Sequence, residues 1–251
     1  METFDNLADV SVPSPGNSGK NVLIVLSGGQ DSVTILGHAL SKLHNVRAIS
    51  FAYGQRHSVE LECAARVCEI YGIDHKVVDI DFFGQLVDSA LTHPEQDVAA
   101  AHPANDKLPA SFVPNRNMLL LTLAHAHAQT INADEVWTGV CQTDYSGYPD
   151  CREEFIVALN NALRVGYQVN IPIVTPLMFL NKAETWEMAY QCGFINTVRH
   201  HSHTCYNGNH ETMNDWGYGC GNCPACKLRA NGYYDWLAGS VESFPEESPK
   251  L

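Results

Sequence analysis

The segment that most constrains the fold of this chain is residues 22–43. An apolar stretch, 22–26, runs through Ser27-Gly28-Gly29-Gln30-Asp31-Ser32 into a run, 33–43, with helical spacing of apolar residues. A strand, a glycine pair and a helix in succession form a loop suited to phosphate. Backbone N–H groups converge on an anion only where side chains leave room, which Gly28 and Gly29 provide. Ser27 and Ser32 add hydroxyl donors, and the helix start adds free amides and the positive end of its dipole. The loop is not a Walker A element, because Gln30-Asp31-Ser32, rather than Lys and Ser or Thr, follows the last glycine.

The remaining pattern extends this unit. Residues 46–51, 76–80 and 135–140 read as strands, and 59–71, 117–130 and 184–191 as helices; 84–111 are less regular, punctuated by Pro94, Pro103 and Pro109. Strands alternating with helices predict an α/β fold with a parallel sheet covered on both faces. Ligands in such folds bind beyond the C-terminal strand ends, which directs attention to the loops 27–32, 53–57 and 141–152. Residues 1–20 are rich in Pro, Gly and Ser and read as a flexible extension; 240–251 read as a flexible tail.

A net charge of −13 with only 15 Lys and Arg leaves no electrostatic footprint for stable nucleic-acid binding. No apolar run reaches the roughly 18 residues of a membrane span, and the start of the chain has no basic region followed by an apolar one. A cytoplasmic location is expected. Nine cysteines, an odd count, with three inside seven residues, point to a metal rather than disulfides.

Cys220-Gly221-Asn222-Cys223-Pro224-Ala225-Cys226 places three thiols at two-residue spacing, and Cys205 precedes them. Four thiolates suit a closed, structural, tetrahedral zinc. An iron–sulfur cluster uses similar spacing, but its bacterial run has a fourth Cys after three further residues, where this chain runs Lys227-Leu228-Arg229 into Ala230. Among the neighbouring histidines His200, His201, His203 and His210, one could replace a thiolate.

With so few cations, Arg56, Arg116 and Arg152 beside strand ends or helix starts are candidates to hold a carboxylate or phosphate. Asn115 or Asn117 is a candidate cap for the helix that follows Pro114. Asp144 and Asp150, with Tyr145 and Tyr148, offer carboxylates for Mg²⁺ or for a base, and rings for stacking. Lys182, after Thr175-Pro176-Leu177, either brings a cation to the phosphates or is a solvated helix residue. His125 and His127 read as packing or surface groups. Cys141 reads as a nucleophile or a small buried residue, the second being the better account.

Together, Ser27–Ser32, Tyr53-Gly54-Gln55-Arg56-His57 with Glu60, Val113-Pro114-Asn115-Arg116-Asn117, Gly139 with residues 144–152, Thr175-Pro176-Leu177, and Thr204-Cys205-Tyr206 before the cysteine run resemble the 7-cyano-7-deazaguanine synthase family. The first motif alone resembles ATP pyrophosphatases more broadly. The resemblance covers about residues 21–235 and implies an adenine-nucleotide alpha hydrolase-like (Rossmann-like) sheet. It also implies a catalytic domain at 21–199, a zinc-binding region at 200–239, one zinc on Cys205, Cys220, Cys223 and Cys226, Mg²⁺ with ATP, and a homodimer. The implied substrates are ATP, 7-carboxy-7-deazaguanine and ammonia. The implied ATP-contacting span is Leu26, Ser27, Gly28, Gly29, Gln30, Asp31, Ser32, Val33, Thr34, Ile35 and Leu36. Candidate catalytic residues are Ser27, Asp31, Ser32, Arg116 and Lys182, and candidate substrate-binding residues are Tyr53, Gln55, Arg56, Asp144, Tyr148 and Arg152. The alternatives are a tRNA sulfurtransferase working through Cys141 or Cys151, and a zinc-ribbon RNA-binding protein with a degenerate loop.

Overall fold

The structure, a computed structural model, describes residues 19–54, 59–87, 89, 101–102, 105–143 and 148–240. Gln55, Arg56, Asp144 and the two tails' expected flexibility, apart from Gly19, Lys20 and Ser240, therefore lie outside the described residues.

Strands β1 (Asn21–Val25), β2 (Asn45–Ala52), β3 (Asp74–Asp79), β6 (Glu135–Thr138) and β7 (Ile173–Val174) form one sheet in the order β3-β2-β1-β6-β7, with every pair parallel. Two short antiparallel pairs lie outside it: β4 (Ala101–His102) with β5 (Asn105–Pro109), and β8 (Met213–Asn214) with β9 (Gly217–Tyr218). The central strand is an unbroken apolar run because both of its faces are covered. Its side chains alternate between two cores: Val22 and Ile24 pack with α1 (Gln30–Ser41), α6 (Lys182–Gln191), α7 (Ile195–His201) and α8 (Pro224–Leu237), whereas Leu23 packs with α4 (Arg116–Thr130) and α5 (Glu153–Tyr167). The edge strand β3 carries Asp74, Lys76 and Asp79 and is mostly exposed or half-buried. Among the described residues, no helix is long and apolar enough to cross a membrane.

Three helix boundaries differ from the sequence expectation for local reasons. Helix α1 starts at Gln30, not at 33, because Gly29 takes the extended N-cap conformation. Gln30, Asp31 and Ser32 thus form the first helical turn. Helix α6 starts at Lys182 because Asn181 and Glu184 build a reciprocal capping box, with 3.0 Å and 2.6 Å bonds. Helix α4 starts at Arg116 after Asn115, whose φ of 58° is left-handed and whose side chain makes no capping bond. Asp150, from a short 3₁₀ turn at Pro149–Cys151, supplies the cap instead, its Oδ2 accepting from Asn117 N at 3.1 Å. Asp150 is thus committed to a helix amide rather than displayed for a cation, and Asn117 sits inside the helix, donating to Asp150 O at 3.1 Å.

Candidate active site

The strand order reverses at β1, which pairs with β2 on one side and β6 on the other. The loops leaving β1 and β6 separate there, the topological switch point where such sheets bind ligands. A cleft of about 330 Å³ opens at this place. A larger hollow, about 1230 Å³, lies along β7 and α5 and includes no residue of the 27–32 loop.

In the loop, Ser27 Oγ and Ser32 Oγ are 3.0 Å apart; Gly29 N donates to Ser27 Oγ at 3.2 Å and Gly28 N to Ser32 Oγ at 3.2 Å. The hydroxyls hold the amides in a converging arrangement that an anion can take over. Gly28 has a φ of +88°, and a Cβ there would lie 1.9 Å from Glu60 O, so helix α2 (Val59–Tyr71) abuts the turn. Gly139, at the end of β6, gives the same close approach on the other side: its Cβ would stand 3.0 Å from Asp31 C.

Lys182 Nζ donates to both Asp31 carboxylate oxygens, at 2.8 and 2.7 Å, with its side chain only 9% exposed. The solvated-helix reading of Lys182 is therefore replaced by an ion pair at the cleft, held where α6 begins. Of the expected ATP-contacting span, Leu26, Ser27, Gly29, Gln30, Asp31 and Ser32 line the cleft. Val33, Thr34, Ile35 and Leu36 are buried beneath it, Thr34 Oγ1 donating to Gln30 O at 2.9 Å.

Beyond the loop, the cleft lining includes Tyr53, Glu60, Arg116, Tyr148 and Tyr206. Arg116 Nη1 donates to Tyr53 Oη at 3.5 Å. Burial works against the Arg116 charge, but Tyr53, Asp150, Cys151 and Tyr148 outweigh it and raise the pKa above the ordinary value. Burial raises the Tyr53 phenol, despite Arg116 beside it, and pushes Tyr206 up further. Tyr148 Oη lies 2.7 Å from Ser111 Oγ. Burial pushes the Glu60 carboxyl up to about 7, against the pull of Arg116. Arg152 sits apart from the cleft lining, at the N-terminus of α5, 3.4 Å from Glu154 Oε1 and half exposed.

Glu60, Tyr206 and Arg229 were not singled out as site residues from sequence. Glu60 lies in the first turn of a helix, where a carboxylate is ordinary dipole complementation; only the tertiary fold brings it to the cleft. Arg229 is 1% exposed and donates to Val198 O, Trp216 O, Ser202 Oγ and Thr204 Oγ1 at 2.8–3.0 Å. It also lies 5.5 Å from the Trp186 ring centroid. Burial lowers its pKa to about 10.

The sulfur atoms of Cys205, Cys220, Cys223 and Cys226 lie within 4.8 Å of one another, with no histidine in the group. Cys220 and Cys226 Sγ are 3.9 Å apart, against about 3.8 Å for a tetrahedron with ~2.3 Å metal–sulfur bonds. Asn222 N and Cys223 N each donate to Cys220 Sγ at 3.4 Å, and Cys226 N donates to Cys223 Sγ at 3.4 Å. These amides favour thiolates, so the donor set fits a metal ion. His203 faces His210 instead, their Nδ1 atoms 3.1 Å apart. The cluster is tied to the phosphate loop: His203 N donates to Gly28 O at 2.9 Å, and Gln30 N to Thr204 Oγ1 at 3.4 Å. His125 is buried beside the Tyr167 ring, and His127 is a half-buried helix residue. Cys141 is buried, donating to Leu180 O at 3.0 Å.

The profile of the family described as "Queuosine biosynthesis protein QueC" matches residues 21–237. The 7-cyano-7-deazaguanine synthase of Wolinella succinogenes is 46% identical over 88% of this chain and 95% of its own length. That of Lysinibacillus sphaericus is 46% identical over 87% of this chain and 96% of its own. Among solved structures, the NH3-dependent NAD synthetase of Campylobacter jejuni aligns with a TM-score of 0.41 at 16% identity, covering 72% of this chain and 68% of that one. A match of this extent favours neither a tRNA sulfurtransferase nor an RNA-binding zinc ribbon, and the chain belongs to the queuosine biosynthesis QueC family, that of the 7-cyano-7-deazaguanine synthases.

Proposed function

We propose that this chain converts 7-carboxy-7-deazaguanine and ammonia to 7-cyano-7-deazaguanine at the expense of two ATP, in queuosine biosynthesis. The observation that carries the reading is the Ser27–Ser32 loop at the switch point, lining one cleft with Arg116. It is supported by the names of the relatives.

A carboxylate is a poor electrophile toward ammonia. Its oxygen attacks the α-phosphorus of ATP, expelling pyrophosphate and leaving an acyl-adenylate. Ammonia adds to that carbonyl and expels AMP, giving the amide. The amide oxygen is adenylated by a second ATP, and loss of AMP and a proton leaves the nitrile. The Gly28 and Gly29 amides, the Ser27 and Ser32 hydroxyls and the start of α1 stabilise the departing pyrophosphate. Asp31, oriented by Lys182, faces the same region and suits Mg²⁺ brought with ATP. Arg116 holds the acid, and Tyr53 and Tyr148 flank it. No enzyme nucleophile is required, and positioning supplies most of the catalysis.

Cys205, Cys220, Cys223 and Cys226 would hold one zinc, which supplies structural cross-linking rather than chemistry. Gln55, Arg56 and Asp144 remain proposed substrate contacts in the same scheme, with Arg152 outside the cleft lining, a catalytic domain at 21–199, a zinc-binding region at 200–239 and a cytoplasmic location. The homodimer reading is supported by exposed Val165, Tyr167, Val169 and Phe179 near the β7 edge.

The test is to incubate the protein with the acid, MgATP and ammonium and to identify products by mass. Nitrile with AMP and pyrophosphate is expected. Amide alone would limit the chemistry to one activation, and neither product from folded protein would reject the substrate assignment.

A further inference from the structure

Glu60 is the one cleft carboxylate that the scheme above leaves without a task among the described residues. It reaches the cleft from the first turn of α2, beside Arg116 and close to Tyr53 and Tyr206. Among the described residues its carboxylate accepts no hydrogen bond; Arg116 acts on it as a nearby charge. Arg116 is meanwhile surrounded by Tyr53, Tyr148, Asp150 and Cys151. Removing a carboxylate from water without supplying donors is costly, so a residue in this position has its use when a ligand brings the donors.

A carboxylate beside a guanidinium presents acceptor, acceptor and donor in sequence. The edge of a 2-amino-4-oxo pyrimidine ring presents the complement: exocyclic amine, ring N–H and carbonyl oxygen. In a 7-substituted deazaguanine the C7 group lies next to that carbonyl oxygen. A ring seated with its two donors on Glu60 would therefore direct both its carbonyl oxygen and its 7-carboxylate toward Arg116.

We propose that Glu60 is a specificity-determining residue that reads the pyrimidine edge of the bound deazaguanine, its carboxylate accepting from the ring N–H and the exocyclic 2-amino group. The inference rests on the substrate reading given above. Sites built to hydrogen-bond a substrate N–H reject analogues lacking it because the site is then left with an unpaired polar group.

The experiment compares kcat/KM for 7-carboxy-7-deazaguanine with that for the same acid lacking the 2-amino group, 7-carboxy-7-deazahypoxanthine, in the wild type, Glu60→Gln and Glu60→Ala. Each protein preparation serves as its own folding control, because the ratio of the two acids is the readout. Wild-type protein is expected to favour the acid bearing the 2-amino group by about 10³-fold or more. In Glu60→Gln, which can accept only through its carbonyl oxygen, the preference is expected to shrink to about tenfold, through loss on the 2-amino compound. Equal losses on both acids would make Glu60 a positioning group for Arg116 and overturn the proposal, as would an unchanged ratio in both variants. Turnover of neither acid by folded wild-type protein would instead overturn the substrate reading, and this proposal with it.

Discussion

At the residue scale, Asp31 and Lys182 form a close ion pair at the cleft, with both carboxylate oxygens on the ammonium. Lys182 is almost enclosed while Asp31 is 27% exposed. Lys182→Met leaves Asp31 without this partner, so a destabilisation of about 2–3 kcal/mol is expected, below the fully buried range because Asp31 still reaches water. Urea denaturation would measure it, and a double-mutant cycle with Asp31→Asn should recover much of the loss; full additivity would mean that the two residues do not act as a pair. Glu60 makes the opposite kind of contribution. Its folded pKa is raised by burial to about 7 from 4.5, so the protonated form is favoured in the native state. Stability from this group is fully present below 4.5 and is lost as pH rises toward and through 7. The melting-temperature difference, Glu60→Gln minus wild type, should therefore widen from pH 5 to pH 8, and a difference independent of pH would contradict the assigned shift. The same two residues show what the sequence conveyed. Lys182 was legible as one of two choices because a cation near a phosphate loop has an evident use. Glu60 was visible within a motif, but its task depends on Arg116, fifty-six positions away in the chain, which no local pattern reveals.

At the scale of elements, the loop between β1 and α1 is shaped by what abuts it. Helix α2 excludes any side chain at Gly28, where φ is +88°. Gly28→Ala must displace either the turn or α2, and a loss of at least about 100-fold in kcat/KM is expected from misplacement of the converging amides. Near-normal turnover in that variant would remove the close approach from the account. The strand–glycine–helix succession was readable because it is local and its chemistry is carried by consecutive residues. The helix starts were less so: α1 begins three residues earlier than periodicity suggests, since polar Gln30, Asp31 and Ser32 lie in the turn before the apolar repeat. At α4 the cap comes from Asp150 rather than from an adjacent asparagine, and capping by a residue 33 positions away leaves no signature in sequence.

At the scale of the whole molecule, the cysteine cluster and the phosphate loop form one mechanical unit. Cys205, Cys223 and Cys226 belong to the same apolar core as Val22 and Ile24 of the central strand. Thr204 and His203 join the cluster directly to Gln30 and Gly28. Removal of the proposed zinc by a chelator, or Cys223→Ser, should therefore loosen ATP binding as well as lower the melting temperature, because site assembly and local folding are coupled. Calorimetric titration of ATP before and after chelation would measure the link; unchanged affinity with the metal gone would separate the two regions. The spacing of the cysteines was legible, and so was a parallel sheet, from the alternation of strands with helices; the strand order was not. That the cluster supports the loop was not, because it depends on Arg229 bridging Val198, Ser202, Thr204 and Trp216 inside the folded core.

In the proposed reaction, one site activates the acid and then the amide by adenylation. This is tested most directly with 7-carboxy-7-deazaguanine carrying ¹⁸O in both carboxylate oxygens, with AMP and inorganic products analysed by mass spectrometry. Two AMP per nitrile, each with a single ¹⁸O, are predicted, since each activation transfers one substrate oxygen to the α-phosphorus. Label appearing in water or in orthophosphate, or ADP in place of AMP, would contradict it.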